Sequence, residues 1–226
     1  MNRYAISDIH GCCRSFEALL DRIALTTADE LYLLGDFIDR GPDSKGVFDL
    51  IFRLRKEGYQ VHCLRGNHDQ MLLNAFKDYK ALQMWMVNGG EQTADSFNAY
   101  LLEDIPSTYI HFLEELPYHF ESGEYLMAHA GFDCRLANPM ENTTAMMWIR
   151  RWYDQLDRDW LGDRIIIHGH TPCTQQQILD HLAKVDELPI IVIDNGCVYQ
   201  RPGMHQLCAF DLNNRRFFFQ PNVESK

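Results

Sequence analysis

The feature that most constrains this chain is a series of short apolar runs, each broken at its end by Asp, Asn or His. Tyr4 to Ser7 is such a run and ends at Asp8, Leu31 to Gly35 ends at Asp36, and Gln60 to Leu64 ends just before Gly66-Asn67-His68. Between them Phe16, Leu19, Leu20 and Ile23, and then Val47, Leu50, Ile51 and Leu54, recur at the i, i+3, i+4, i+7 spacing of a helix with one buried face. Strand, helix, strand, helix, strand predicts a parallel sheet with helices packed on it.

Residues 70 to 115 read as helical and rich in aromatics, with a break at Asn88-Gly89-Gly90. This stretch is expected to be a helical cap inserted in a single domain spanning residues 1–226, because no linker rich in Pro, Gly or Ser divides the chain. Strands resume at Tyr125 to His129, Arg164 to His168 and Ile190 to Asp194. A hairpin of Gln206 to Asp211 and Arg216 to Gln220, turning at Asn213-Asn214, closes the chain. The fold class is α/β, or α+β by some schemes, with mixed sheets flanked by helices. A chain of 226 residues is long enough for one sizeable core.

A formal net charge of -11 argues against nucleic acid as a partner, since that role needs a basic stripe. A phosphate-bearing ligand stays compatible, because bound metals supply positive charge locally. The N-terminus lacks the basic and apolar regions of a signal peptide, and no apolar run is long enough to span a membrane. The seven cysteines are scattered and odd in number, which suits a reducing cytoplasm better than a disulfide framework. Nothing in the sequence speaks to oligomeric state.

Five polar blocks follow predicted strands: Asp8-Ile9-His10-Gly11, the segment from Gly35 to Gly41, Gly66-Asn67-His68-Asp69, His129-Ala130-Gly131 and His168-Gly169-His170-Thr171. Any one of them has an ordinary explanation as a solvated loop, an N-cap or a turn with Asn in the left-handed region. Together they point to one place, because ligands of open α/β sheets bind outside the carboxyl ends of the strands.

These blocks resemble the calcineurin-like metallophosphoesterase superfamily, and within it the phosphoprotein phosphatase family, especially its small bacterial and bacteriophage lambda members. The residues that carry the resemblance are DIHG (8–11), GDFIDRG (35–41), RGNHDQM (65–71), HAG (129–131) and HGHTP (168–172), with NGGEQT (88–93) and Trp148-Ile149-Arg150 as weaker matches. The resemblance implies a β-sandwich of two mixed sheets with flanking helices. It also implies two divalent metals, one held by Asp8, His10 and Asp36, the other by Asp36, Asn67, His129 and His170. Asp36 is then shared, and a shared anion is what two cations roughly 3.5–4 Å apart require. Oxygen and nitrogen ligands without thiolate suit manganese, with iron or zinc as alternatives.

By the same resemblance, a hydroxide bridging the metals attacks phosphorus in line. His68 protonates the leaving oxygen, oriented and kept cationic by Asp39, while Arg40 and Arg150 clamp the phosphoryl oxygens. A one-residue shift would exchange Arg150 for Arg151. HGHTP places the metal ligand at His170, and Pro172 stands where some metallophosphoesterases have a further His. Asp69 stands where many relatives have Glu. The activity implied is phosphomonoester hydrolysis on phosphoproteins or phosphopeptides, at Ser/Thr and also Tyr. The alternative is a symmetrical dinucleoside polyphosphate (diadenosine tetraphosphate) hydrolase, which in the family pattern has Gln at the position of His10.

The remaining candidates read as structural. His62, His111, His119, His181 and His205 are scattered, His168 reads as a strand residue, and Phe217 to Phe219 as strand. Cys12 and Cys13 are small residues beside a crowded loop. Trp85 and Met86 either border the substrate groove or pack in the core, and Asp194-Asn195-Gly196 reads as a turn near the site.

Overall fold

The computed structural model describes residues 1–224. The first strand, β1 (Arg3–Ile6), leads to helix α1 (Cys13–Arg22), and β2 (Glu30–Leu33) to α2 (Ser44–Lys56). Next come β3 (Gln60–Cys63), α3 (Asn67–Ala75), α4 (Tyr79–Trp85), a kink (Met86–Gly90) where Gly89 takes non-helical dihedrals, α5 (Glu91–Phe97) and α6 (Ser107–Glu114). The second half runs β4 (His119–Ser122), β5 (Tyr125–Ala128), α7 (Thr143–Trp148), α8 (Arg158–Leu161), β6 (Ile165–His168), α9 (Gln175–Ala183), β7 (Ile190–Val192), β8 (Gln206–Asp211) and β9 (Arg216–Pro221).

The strands form two mixed sheets, ordered β3-β2-β1-β8-β9 and β4-β5-β6-β7. The chain alternation of each strand decides what lies on its two faces. In the larger sheet Tyr4, Ile6, Leu31 and Leu33 face α1 and α2, while Ala5, Tyr32 and Leu34 face inward to meet Tyr125, Met127, Ile165 and Ile167 of the smaller sheet. The outer face of the smaller sheet, through Leu126, Ala128, Ile166 and Ile190, packs on Phe132, Met146 and Trp152. Parallel strands buried on both faces explain why Leu31 to Leu34 and Ile165 to Ile167 read as unbroken apolar runs.

The helical stretch expected as a cap joins the main core, since Met71, Leu72, Trp85, Ile105 and Leu113 pack in the same cluster as α1 and α2. Strand β4 was not anticipated. It is a half-buried edge strand antiparallel to β5, so it lacks both the apolar run and the strict alternation that mark a strand in sequence. Among the described residues no helix is long and apolar enough to cross a membrane, and all seven cysteines are free.

Candidate metal centre

All five polar blocks meet at the carboxyl ends of β1, β2, β3, β5 and β6. The backbone there is unusual. Asp8, His10, Asp36, Asp39, Arg40 and His170 take positive φ, between 48° and 73°, out of eleven non-glycine residues in the described chain that do so. Such conformations cost on the order of 1–3 kcal/mol each and persist only where the surroundings enforce them. Here they turn successive side chains inward from tight loops. Gly169 is part of the enforcement, because a Cβ on it would overlap Ser7 Oγ and Asp8 Oδ2.

His10 donates from Nδ1 to the Ile38 carbonyl at 2.9 Å, and His129 from Nδ1 to the Leu34 carbonyl at 2.8 Å. Those bonds fix the tautomers and leave both Nε2 lone pairs facing the cluster. Asp36 accepts the His68 backbone N–H with Oδ1, at 2.9 Å. Its Oδ2 lies 3.6 Å from His10 Nε2 and 3.5 Å from His129 Nε2. Asn67 Oδ1 lies 3.0 Å from His129 Nε2 and 2.8 Å from His170 Nδ1. Asp8 accepts the His170 backbone N–H with Oδ2 at 2.9 Å, and its Oδ1 is 4.0 Å from His10 Nε2.

Two sets of ligand atoms are therefore close enough to hold a cation each: Asp36 with His129 and His170, and Asp36 with His10, which also has His68 within reach. The shared residue is Asp36. The donors fit divalent metals on chemical grounds, being carboxylate, amide oxygen and neutral imidazole with no thiolate. Burial lowers the pKa of His10, His129 and His170, and a neutral imidazole is the form that binds metal. Burial also raises Asp36, with Asp8 and Asp69 adding to the effect.

Beside the cluster, His68 Nδ1 is 2.7 Å from Asp39 Oδ2, and both side chains are buried. Burial first, then Arg40, His129 and Arg150, push His68 down to about 2, while burial pushes Asp39 up to about 7. Burial thus disfavours the charged form of each member of the pair. Arg40 Nη1 approaches His10 Nε2 at 2.9 Å, and its backbone N–H donates to the Gly89 carbonyl. Arg150 donates to Thr171 Oγ1 at 3.1 Å, and its charge bears on His68, His129 and His170. The structure thus places Arg150, not Arg151, toward the cluster.

Three residues with no assigned part in the sequence turn out to hold the site. Asp69 accepts backbone N–H groups of Asp36, Phe37 and Gly66 at 2.8–3.1 Å, tying the second block to the third. Trp85 Nε1 and Thr93 Oγ1 both donate to Asp39 Oδ1, at 2.9 and 2.8 Å. Trp85 is thus a buried residue with a polar task. The sequence signal was NGGEQT itself: a Cβ on Gly89 would lie 2.7 Å from Arg40 Cγ, so the segment must pass close by. His168 is buried against Tyr153 Oη at 2.7 Å, and His62 stacks on Tyr32; neither groups with the candidate ligand atoms.

Two candidate cation sites sharing a carboxylate, at the strand ends of a two-sheet sandwich, define a metallophosphoesterase. The chain belongs to the calcineurin-like phosphoesterase family, whose pattern matches residues 1–199. It is 28% identical over 220 residues to the asymmetrical bis(5'-nucleosyl)-tetraphosphatase PrpE of Oceanobacillus iheyensis, covering 86% of this chain and 83% of that protein. It is 34% identical over 134 residues to a symmetrical bis(5'-nucleosyl)-tetraphosphatase of Erwinia tasmaniensis, covering 58% of this chain and 44% of the other. Its fold is similar to that of a protein serine/threonine phosphatase from Saccharomyces cerevisiae, with TM-score 0.69 and 14% identity over 100% of this chain and 81% of the other.

Proposed function

We propose that this metallophosphoesterase hydrolyses the polyphosphate bridge of dinucleoside tetraphosphates. The observation that carries the reading is the match to an asymmetrical tetraphosphatase along 83% of that protein's length. The symmetrical enzyme is matched over less than half of its length, and His10 stands where the family pattern of symmetrical enzymes has Gln. The reading therefore takes the asymmetrical cut, which yields a nucleoside triphosphate and a monophosphate. This reverses the order expected from sequence, where phosphoproteins came first.

The metals, proposed to be two manganese ions held by Asp8, His10, Asp36, Asn67, His129 and His170, supply charge neutralisation and an activated water. Arg40 and Arg150 hold the phosphoryl oxygens, their planar forks matching two oxygens at once. His68 delivers a proton to the leaving oxygen, and Asp39 orients it through Nδ1. Trp85 and Thr93 hold Asp39 in turn.

A protein-phosphatase activity is the second reading, favoured by His10 and by Pro172 in place of a further His ligand. Diadenosine tetraphosphate and phosphopeptides assayed side by side with added manganese distinguish the two. A higher kcat/KM on the dinucleotide, with ATP and AMP as products, is expected. Preference for phosphopeptides would reverse the order, and activity that survives a chelator would end the metal-dependent reading altogether.

A further inference from the structure

A line of cationic and aromatic groups leads outward from the metal centre. The Arg40 guanidinium carbon lies 5.7 Å from the centre of the Tyr199 ring, and that of Arg201 lies 5.5 Å from the same centre. The two guanidinium carbons are thus no more than about 11 Å apart. Arg40 belongs to the second polar block, whereas Tyr199 and Arg201 belong to the loop between β7 and β8. Among the described residues neither Arg40 nor Arg201 forms an ion pair with a carboxylate, although Arg53, Arg135, Arg164 and Arg215 do.

The loop is built to hold this line. Tyr199 N–H donates to the Gly196 carbonyl, Arg201 N–H to the Tyr199 carbonyl and Met204 N–H to the Arg201 carbonyl, at 2.8–3.0 Å. Asn195 Nδ2 donates to the carbonyls of Cys173 and Gly203, at 2.8 and 3.0 Å, so the loop is pinned at both ends. Tyr199 is half-buried and Arg201 exposed. An aromatic face keeps a guanidinium in place while leaving its N–H groups available to an anion.

We propose that Arg201, held over Tyr199, binds a phosphate group of the substrate beyond the one being cleaved, so that Arg40 and Arg201 together select a polyphosphate chain over a single phosphate. This deepens the function proposed above and rests on it. A chain of phosphates running from the metals past Arg40 toward the loop would meet Arg201 as a further cationic contact. With a net charge of -11, the guanidinium groups of Arg40 and Arg201 add to the positive charge the metals would supply for accepting a polyanion.

The test compares inhibition of p-nitrophenyl phosphate hydrolysis by inorganic tripolyphosphate and by orthophosphate, at fixed free manganese. In the unmodified protein tripolyphosphate should inhibit more tightly. Arg201→Ala should lower the preference for tripolyphosphate over orthophosphate by about fivefold, the order of one exposed charged contact. Arg201→Lys should keep part of it, and Tyr199→Leu should lower it in the same direction by freeing the guanidinium. An unchanged ratio of the two inhibition constants in Arg201→Ala overturns the proposal. The readout is independent of dinucleotide cleavage. If diadenosine tetraphosphate is not hydrolysed but the ratio still falls, the proposed function fails and the polyphosphate subsite stands. If the dinucleotide is cleaved and the ratio holds, the reverse is true.

Discussion

Asp39 reaches His68 with one carboxylate oxygen, at 2.7 Å, and gives its other oxygen to Trp85 and Thr93. The orientation of the proposed proton donor is thus set by residues 46 and 54 positions away from Asp39 in the chain. Trp85→Phe keeps an aromatic ring and removes the indole N–H. A buried acceptor left short of a donor costs about 1–3 kcal/mol, so kcat should fall by about tenfold with KM little changed. Steady-state kinetics check this; an equal rise in KM would mean that Trp85 contributes to the groove and not to the pair.

The contribution of His68 should depend on the leaving group. His68→Asn is expected to lower turnover most on alkyl phosphates, whose alkoxide needs a proton, and least on p-nitrophenyl phosphate. Metal content by elemental analysis should be unchanged. Loss of metal would instead make His68 a ligand, a role its proximity to His10 and Asp36 permits.

Asp69→Asn should destabilise the protein. The carboxylate collects three backbone N–H groups from two loops, and an amide offers one oxygen where the carboxylate has two. The loss expected in urea denaturation at pH 8, where Asp69 is ionised, is about 2 kcal/mol, the order of one charge-assisted hydrogen bond. Full stability in this variant would show that the loops hold without it.

Gly169→Ala should weaken manganese binding more than it weakens the fold. The new Cβ overlaps Asp8 Oδ2, which accepts the His170 backbone N–H, so both residues must shift. Activity titrated against manganese should show a raised half-saturation concentration. Unaltered metal dependence would mean that Asp8 and His170 tolerate the shift.

The metal-free protein should be most stable in mild acid. Asp39 and Asp69, pushed up to about 7 by burial, stay protonated in the folded chain at pH values where unfolded carboxylates, of ordinary value 3.8, have ionised. Their contribution is complete below 3.8 and lost as pH rises through about 7. His68 and His168, pushed down to about 2 and about 4, stay neutral where unfolded histidines, of ordinary value 6.5, are charged. Theirs is complete above 6.5 and lost as pH falls through those folded values. The two effects oppose each other between 3.8 and 6.5, where Tm measured in chelator should peak. Added manganese should move the peak upward, since its ligands bind deprotonated. A chelated Tm that keeps rising through pH 8 would contradict the assignment.

The sequence by itself determined the two-layer core, because strand alternation and helical spacing are local and each apolar run names its own buried face. It also determined which residue types stand at the strand ends, since Asp8, Asp36, Asn67, His129 and His170 each interrupt a run that burial would otherwise continue. Only the tertiary structure decided how those side chains are aimed. Positive φ at Asp8, His10, Asp36, Asp39, Arg40 and His170 is imposed by neighbours far away in the chain, and none of these residue types announces it. The same holds for Asp69 as the tie between two loops, for Trp85 as a donor to Asp39, and for the choice of Arg150 over Arg151. Each is a hydrogen bond or an electrostatic contact between segments that meet only once the two sheets have closed on each other.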